Sequence, residues 1–188
     1  MGHPFATWPG WVQLLAGIAL AGLGALGVAR MTPAGRALKA TGGPGIVAFQ
    51  LAGSTQRSSA LLARWGADGQ AAARRSLRAD YLFIVGYAGV LSLLAACSSA
   101  ALGDKTWSWV AAAGNSVAWL ALLAGLCDVA ENLLLTTVLD RAQSGDLQPY
   151  AGWARRLALA KFCLALAVVA WIVLVAWPGT LTPSGGGP

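Results

Sequence analysis

A chain of 188 residues that is 57% hydrophobic and only 11% charged is excluded from the ordinary soluble domains, where charged residues make up roughly 25%. It is long enough for one helical membrane domain and too short for two. Its net charge of +6 fits the Lys and Arg that membrane proteins gather on cytoplasmic loops, which argues against nucleic acid as a partner.

The first span, 11–29, is an unbroken apolar run from Trp11 to Ala29. It is long enough to cross a ~30 Å hydrocarbon core at ~1.5 Å per residue. A cleaved signal peptide needs a basic start, which is absent; Arg30, Arg36 and Lys39 follow the run instead, as a stop-transfer signal does. The glycines of AGLGALG in this span suit helix packing. His3, the only histidine, falls in a terminus expected to fray.

Residues 30–80 form a basic connection. Gly42-Gly43-Pro44-Gly45 breaks the chain, and IVAFQLAG reads as a short extended or interfacial piece. Ser54 or Thr55 then caps a helix carrying Leu61, Leu62 and Trp65, which Gly66 and Gly69 interrupt. Arg57, Arg64, Arg74, Arg75 and Arg78 lie beside apolar residues, the pattern of an amphipathic cap on the inner leaflet. Such a cap is either an anchor that meets anionic headgroups or a lid over a cavity.

Three more spans follow, at about 81–102, 107–139 and 156–177. The tail at 181–188 has a disordered composition. The expected fold is therefore an all-α integral membrane protein, a single four-helix domain over 1–180. Twelve of the thirteen basic residues lie in the 30–80 connection, the 141–156 connection or the first turns of the last helix, leaving only Lys105. The positive-inside rule makes both connections cytoplasmic and both termini outward, N-out/C-out, in a bacterial cytoplasmic (inner) membrane. Trp8, Trp11, Trp107, Trp109 and Trp177 then fall at the outer interface, where amphipathic aromatics prefer to sit.

The chemistry concentrates in LLAGLCDVAENLLLTTVL of the third span, which holds the chain's only glutamate, Glu131, beside Asp128 and Asn132. A charge in a hydrophobic span costs about 2.5–3.5 kcal/mol on insertion scales, so such groups stay neutral, pair, bind a metal or face a wet cavity. Gly114, Ala118, Ala121, Gly125, Asp128 and Asn132 share one helical stripe, with Glu131 on its flank. Small residues there either bring a neighbouring helix close or leave room for a ligand. Asp128 lies about 31 Å along the helix from Trp107 and about 18 Å from Asp140, in the inner half of the membrane. LLLTTVL beyond it is too apolar for water, so it stays in lipid or lies under the cap.

Lys161, inside the last span, either pairs with Asp128 or Glu131 or snorkels to the headgroups. Asp80 opens the second span as a helix cap, an arginine partner or a third acid, with Tyr81 beside it and Tyr87 two turns further in. The candidate catalytic residues are Asp128, Glu131 and Asp80. The candidate substrate-binding residues are Asn132, Lys161, Tyr87, Trp119 and Tyr81. Cys97, Cys127 and Cys163 are scattered without ligand spacing and read as small buried hydrophobes.

FQLAGSTQRSSALLARWG, ARRSLRADYLFIVGY and LCDVAENLLL together resemble a family of small bacterial four-helix membrane proteins with no known activity. The resemblance covers roughly residues 45–140. It implies a cytosolic cap joined to an Asp-bearing second helix, and it implies no reaction.

DDxxD, DxDD, a Gly-Lys phosphate loop, HExxH and paired histidines are all absent. A Ser/His/Asp hydrolase lacks a usable histidine. Three readings remain. The first is an enzyme acting on a lipid-like substrate such as an isoprenoid, with a desolvated carboxylic acid as proton donor and Trp119, Trp171 and Tyr87 facing a developing cation, as in protonation-initiated cyclisation. No cofactor is expected; Mg²⁺ enters only with a diphosphate substrate, held by Asp80, Asp128 and Glu131. The second is a lipid-binding or accessory subunit whose polar cluster fixes helix register. The third is a small proton- or cation-coupled transporter, which would have to oligomerise and which the few polar groups of the outer half-spans disfavour.

Overall fold

A computed structural model describes residues 3–102 and 108–176, with side chains described outside 99–111. Lys105, Trp107, Trp177 and the 181–188 tail lie outside the described residues, as does the side chain of Trp109. A 3₁₀ turn, Pro4–Thr7, precedes α1 (Gly10–Ala40), α2 (Ile46–Gln50), α3 (Thr55–Leu102), α4 (Ser108–Asp140) and α5 (Tyr150–Ala176). α1, α3, α4 and α5 are each long and apolar enough to cross a membrane, and the described residues contain no strand. The protein is a multi-pass helical membrane protein.

Two helix boundaries depart from the sequence pattern for one reason: basic side chains mark where a membrane ends, and the backbone can stay helical past that point. α1 runs on through Arg30, Arg36 and Lys39 to Ala40, with Pro33 inside it. α3 starts at Thr55, capped by Ser54, whose Oγ accepts from the Arg57 amide at 3.3 Å. Gly66 alone breaks its helical course, at φ 61 and ψ −168, a conformation open to glycine and strained for other residues. Gly69 stays helical, buried against Trp65. IVAFQ forms the short helix α2 and not an extended piece.

α3 and α4 are the central pair. α1 packs against α3, α5 packs against α4 and more lightly against α3, and α1 and α5 have no comparable interface with each other. The α1–α3 crossing is built on glycine. A methyl at Gly27 would meet the Phe83 backbone nitrogen at 2.5 Å, and one at Gly86 would meet the Gly24 Cα at 2.5 Å. Elsewhere α1 is open to its surroundings, with Trp11, Leu14 and Ile18 exposed, as a lipid-facing helix is.

The connection between α1 and the transmembrane part of α3 has its own core. Phe49, Leu62, Trp65 and Leu77 are buried with Leu135, Val138 and Leu139 of α4 and with Leu147. The apolar end of α4 is therefore partly covered by this connection, although Leu133 remains exposed. Trp65 anchors it, donating Nε1–H to the Pro44 carbonyl at 2.9 Å and meeting Phe49 edge-on. Its charged outer surface is stitched by an Arg74–Asp140 ion pair, of a kind worth at most about 1 kcal/mol when exposed.

At the opposite end of the bundle His3 is buried and well partnered, so the expectation of a frayed residue is corrected. Its backbone N–H donates to Asn115 Oδ1 at 3.1 Å, and its ring packs 4.7 Å from the Trp119 ring. Nδ1 accepts from the Phe5 amide at 3.3 Å, which leaves the proton on Nε2, 3.3 Å from Ser92 Oγ. In this tautomer the histidine is the donor, so His3 and Ser92 do not form a nucleophile–base pair. Burial holds the His3 pKa below its ordinary 6.5. The docked turn thus keeps a neutral ring while the released turn protonates normally. Docking is at full strength above pH ~6.5 and weakens by up to about tenfold per pH unit below it, until the docked ring itself titrates. The protection factors of the Phe5, Ala6 and Trp8 amides, exchange corrected for its intrinsic rate, should fall by about tenfold or more between pH 7 and 5. The fall should vanish in His3→Gln; unchanged protection factors in the native chain would refute it.

Candidate functional site

The antiparallel course of α3, α4 and α5 brings Asp80, Tyr87, Asp128, Glu131, Asn132 and Lys161 together in the bundle, nearer the end where the connection between α1 and α3 packs. Gly114, Ala118, Ala121 and Gly125 form a buried face on α4. A Cβ on Gly125 would touch Ala88 Cβ at 2.8 Å, so this stripe serves close helix packing. One turn further, where that packing surface turns polar, the acids begin.

Lys161 is 5% exposed, and its Nζ lies 2.5 Å from Asp128 Oδ1 and 2.7 Å from Glu131 Oε2. The second contact is off the hydrogen-bond direction, since neither Glu131 oxygen has a hydrogen-bond partner among the described residues. Lys161 is therefore a buried ion-pair partner and not a snorkelling side chain. Tyr87 donates its hydroxyl to Asp128 Oδ2 at 3.1 Å, so both Asp128 oxygens are engaged. Asn132, wholly buried, donates Nδ2 to Asp80 Oδ2 at 2.8 Å, and its own Oδ1 has no donor among the described residues. Asp80 is neither a helix cap nor an arginine partner: α3 runs continuously through it, and Asn132 is its only hydrogen-bond partner among the described residues.

A half-open cavity of about 400 Å³ reaches this cluster, within the usual range for small-molecule sites. Asp80, Phe83 and Tyr87 of α3, Asp128 of α4, and Lys161, Phe162 and Ala165 of α5 form part of its wall. Met31 of α1 and Ile46, Val47 and Gln50 of α2 complete it. The lining is mainly apolar, with a polar end. It occupies the gap left where α1 and α5 each lean on a different central helix, and α2 lies along one side. Phe162 and Val47 are exposed on the outer surface, so the opening is lateral.

Of the candidate residues, Asp80, Asp128, Tyr87 and Lys161 meet at this cavity. Glu131 is fully buried and absent from its wall, behind Lys161; Asn132 stands behind Asp80 in the same way. Tyr81 is half-buried and does not line the cavity. Trp119 is elsewhere: it packs on His3 and is 53% exposed. Nine residues from Asp128 at ~100° per residue is half a turn away, a signal the sequence held. Trp171 is also absent from the lining, and its buried Nε1 has no hydrogen-bond partner among the described residues. Gln50 joins the cavity wall without being a candidate from the sequence pattern; its one signal there is that it is the only polar residue in IVAFQLAG.

The cluster does not fit a metal. No group of His, Cys, Asp and Glu among the described residues has metal-holding geometry, and the Lys161 ammonium occupies the place between Asp128 and Glu131 that a cation would take. The cysteines are free, with Cys97 and Cys127 half-buried and Cys163 exposed; the expectation of three buried hydrophobes holds for none of them fully. No family model, curated protein or solved structure matches the chain.

Proposed function

We propose that the protein is a membrane-embedded enzyme that takes a lipid-like substrate into the lateral cavity and moves a proton at its polar end. The observation that carries this reading is the cavity itself, an apolar space whose polar end is Asp80, Asp128, Tyr87 and Lys161. Asp128 is held as an acceptor by Tyr87 and Lys161. A substrate proton passed to the Tyr87 oxygen, as that hydroxyl gives its own proton to Asp128, would meet a preformed route. Asp80 faces the same space and orients the substrate. The apolar lining suits a long hydrocarbon chain, an isoprenoid among others. A diphosphate head fits poorly beside two carboxyls, because the one lysine already serves Asp128 and Glu131.

In this reading the basic end faces the cytoplasm and both termini face outward in a bacterial inner membrane. Arg57, Arg64, Arg75, Arg78, Arg155 and Arg156 are all exposed at that end, where anionic headgroups would meet them.

One observation favours a second reading, an accessory subunit. Glu131 and Lys161 are buried together away from the cavity mouth, an arrangement that fixes the register of α4 on α5 whatever else the site does. The two readings part on Asp128→Asn. Lipid extracts from cells expressing the native chain, Asp128→Asn or Asp80→Asn would be compared by mass spectrometry, at matched expression and thermal stability. The enzyme reading expects at least one lipid to change with the native chain and to revert with either variant. Indistinguishable extracts from three folded proteins would leave the accessory reading.

A further inference from the structure

Among the described residues, the cavity's polar end is short of two things, positive charge and hydrogen-bond donors. Three carboxyls, Asp80, Asp128 and Glu131, share one ammonium, and Lys161 spends its charge on Asp128 and Glu131. Asp80 is the member of the cluster with no cation within ion-pair distance among the described residues, and it lines the cavity. Its Oδ2 accepts from Asn132, while Oδ1 has no partner among the described residues.

Gln50 stands across the same space. It is 7% exposed, it lines the cavity, and its side-chain amide makes no hydrogen bond among the described residues. Neither of its amide atoms is among the sealed, unpartnered polar atoms of the described residues, so the amide opens onto the cavity and can meet a ligand there. The rest of the wall includes three aromatic rings, Phe83, Tyr87 and Phe162, whose faces attract cations. An anionic head entering here would face Asp80 and Asp128 with a single lysine already shared by two acids.

Resting on the lipid-like ligand proposed above, we infer that the cavity selects an amphiphile whose polar end is a primary ammonium. That group supplies the missing charge to Asp80, offers three N–H donors for Asp80 Oδ1 and the Gln50 amide oxygen, and sits among aromatic faces. Its alkyl chain lies along Ile46, Val47 and Ala165 and leaves through the lateral opening. A quaternary ammonium brings the charge without the donors and binds second best. An alcohol brings a donor without the charge. A phosphate brings charge of the wrong sign.

The test uses the full chain in nanodiscs of zwitterionic lipid and a matched series of probes: dodecylammonium, dodecyltrimethylammonium, dodecanol and dodecyl phosphate. Binding is measured as the excess over partition into empty nanodiscs. Dodecylammonium should bind about tenfold or more tighter than dodecanol or dodecyl phosphate, a difference worth one decade in Kd. Asp80→Asn, which keeps an oxygen for the Asn132 amide, should remove that preference. Gln50→Leu should weaken dodecylammonium several-fold, and Asp68→Asn, at an exposed acid in the cap, should change nothing. Ala165→Trp, which fills the cavity without touching a charge, should abolish binding of the whole series.

Equal binding of all four probes, abolished by Ala165→Trp, would overturn the ammonium inference and leave the lipid cavity standing. The same holds if dodecyl phosphate binds tightest, or if Asp80→Asn keeps the preference. Binding of no probe above partition would overturn both.

Discussion

Replacing Lys161 by Met should destabilise the protein by about 3–5 kcal/mol, the range found when one partner of a buried ion pair is removed. Met preserves most of the volume and removes the charge, so packing contributes little to the loss. The cost comes from the acids left behind: Asp128 at 4% exposure and Glu131 at 0% would lose the one cation paired with them among the described residues. Glu131 suffers more, because no hydrogen bond among the described residues compensates it, whereas Asp128 keeps the Tyr87 hydroxyl. The decisive comparison is the triple variant Lys161→Met/Asp128→Asn/Glu131→Gln. Removing the lysine together with the two acids it pairs leaves none of those three uncompensated, and such replacements are often neutral or stabilising. Unfolding in mild detergent should therefore show the triple variant recovering most of what the single one loses. A triple variant as unstable as Lys161→Met would mean that lost packing, and not unpaired charge, sets the cost. A stable triple variant also separates the functional readings. An accessory subunit would still work with it, and an acid–base enzyme would not.

The four spans and the inward stripe of α4 follow from patterns along single helices, for which apolar length and a 3.6-residue period suffice. The cost of a lone buried charge makes a pairing of Lys161 with Asp128 or Glu131 one of two outcomes, and the packing of α5 on α4 decides it. What depends on two helices at once was less legible. The boundary at Asp80 is one case. ARRSLRAD reads as the end of a membrane, yet its residues are good helix formers, and the helix continues through them so that Asp80 faces Asn132 across the bundle. The cavity is another. Its floor depends on α1 and α5 leaning on different partners, and no single-span pattern encodes that choice. Gln50 reaches the site only because Gly42 and Pro44 turn the chain back over the bundle. Trp119 is the reverse case: its ring chemistry suits a cavity wall, while its position on the helix, half a turn from Asp128, puts it on the far side.

α1 carries the second large effect. The helix holds on to the bundle chiefly through α3, so the fate of one glycine contact decides the fate of a whole span. The two facing glycines, however, are not equivalent. A methyl built on Gly24 would lie 3.7 Å from the Gly86 Cα, an ordinary contact, while one built on Gly86 would lie 2.5 Å from the Gly24 Cα and 2.8 Å from the Leu20 carbonyl oxygen. Carbon atoms settle at about 3.5–4.0 Å, and what the Gly86 methyl strikes is backbone, which has no rotamer to move aside. Gly86→Ala must therefore push the helices apart by about 1 Å or more and loosen every contact along the crossing, at a cost of about 1–3 kcal/mol. Gly24→Ala should stay within about 0.5 kcal/mol, as substitutions that meet no clash do. With the native cysteines removed, spin labels at Leu26→Cys and Val85→Cys, both exposed positions, would report the separation directly. The Gly86→Ala distance should lengthen and the Gly24→Ala distance should not. Phe83 packs against Gly27 in the same crossing and also lines the cavity with Met31, so separation opens the cavity on that side. Amphiphile binding should weaken in Gly86→Ala although the polar cluster is untouched. Equal distances and equal binding in the two variants would show that the crossing yields more easily than backbone contact allows, and that α1 is not what closes the site.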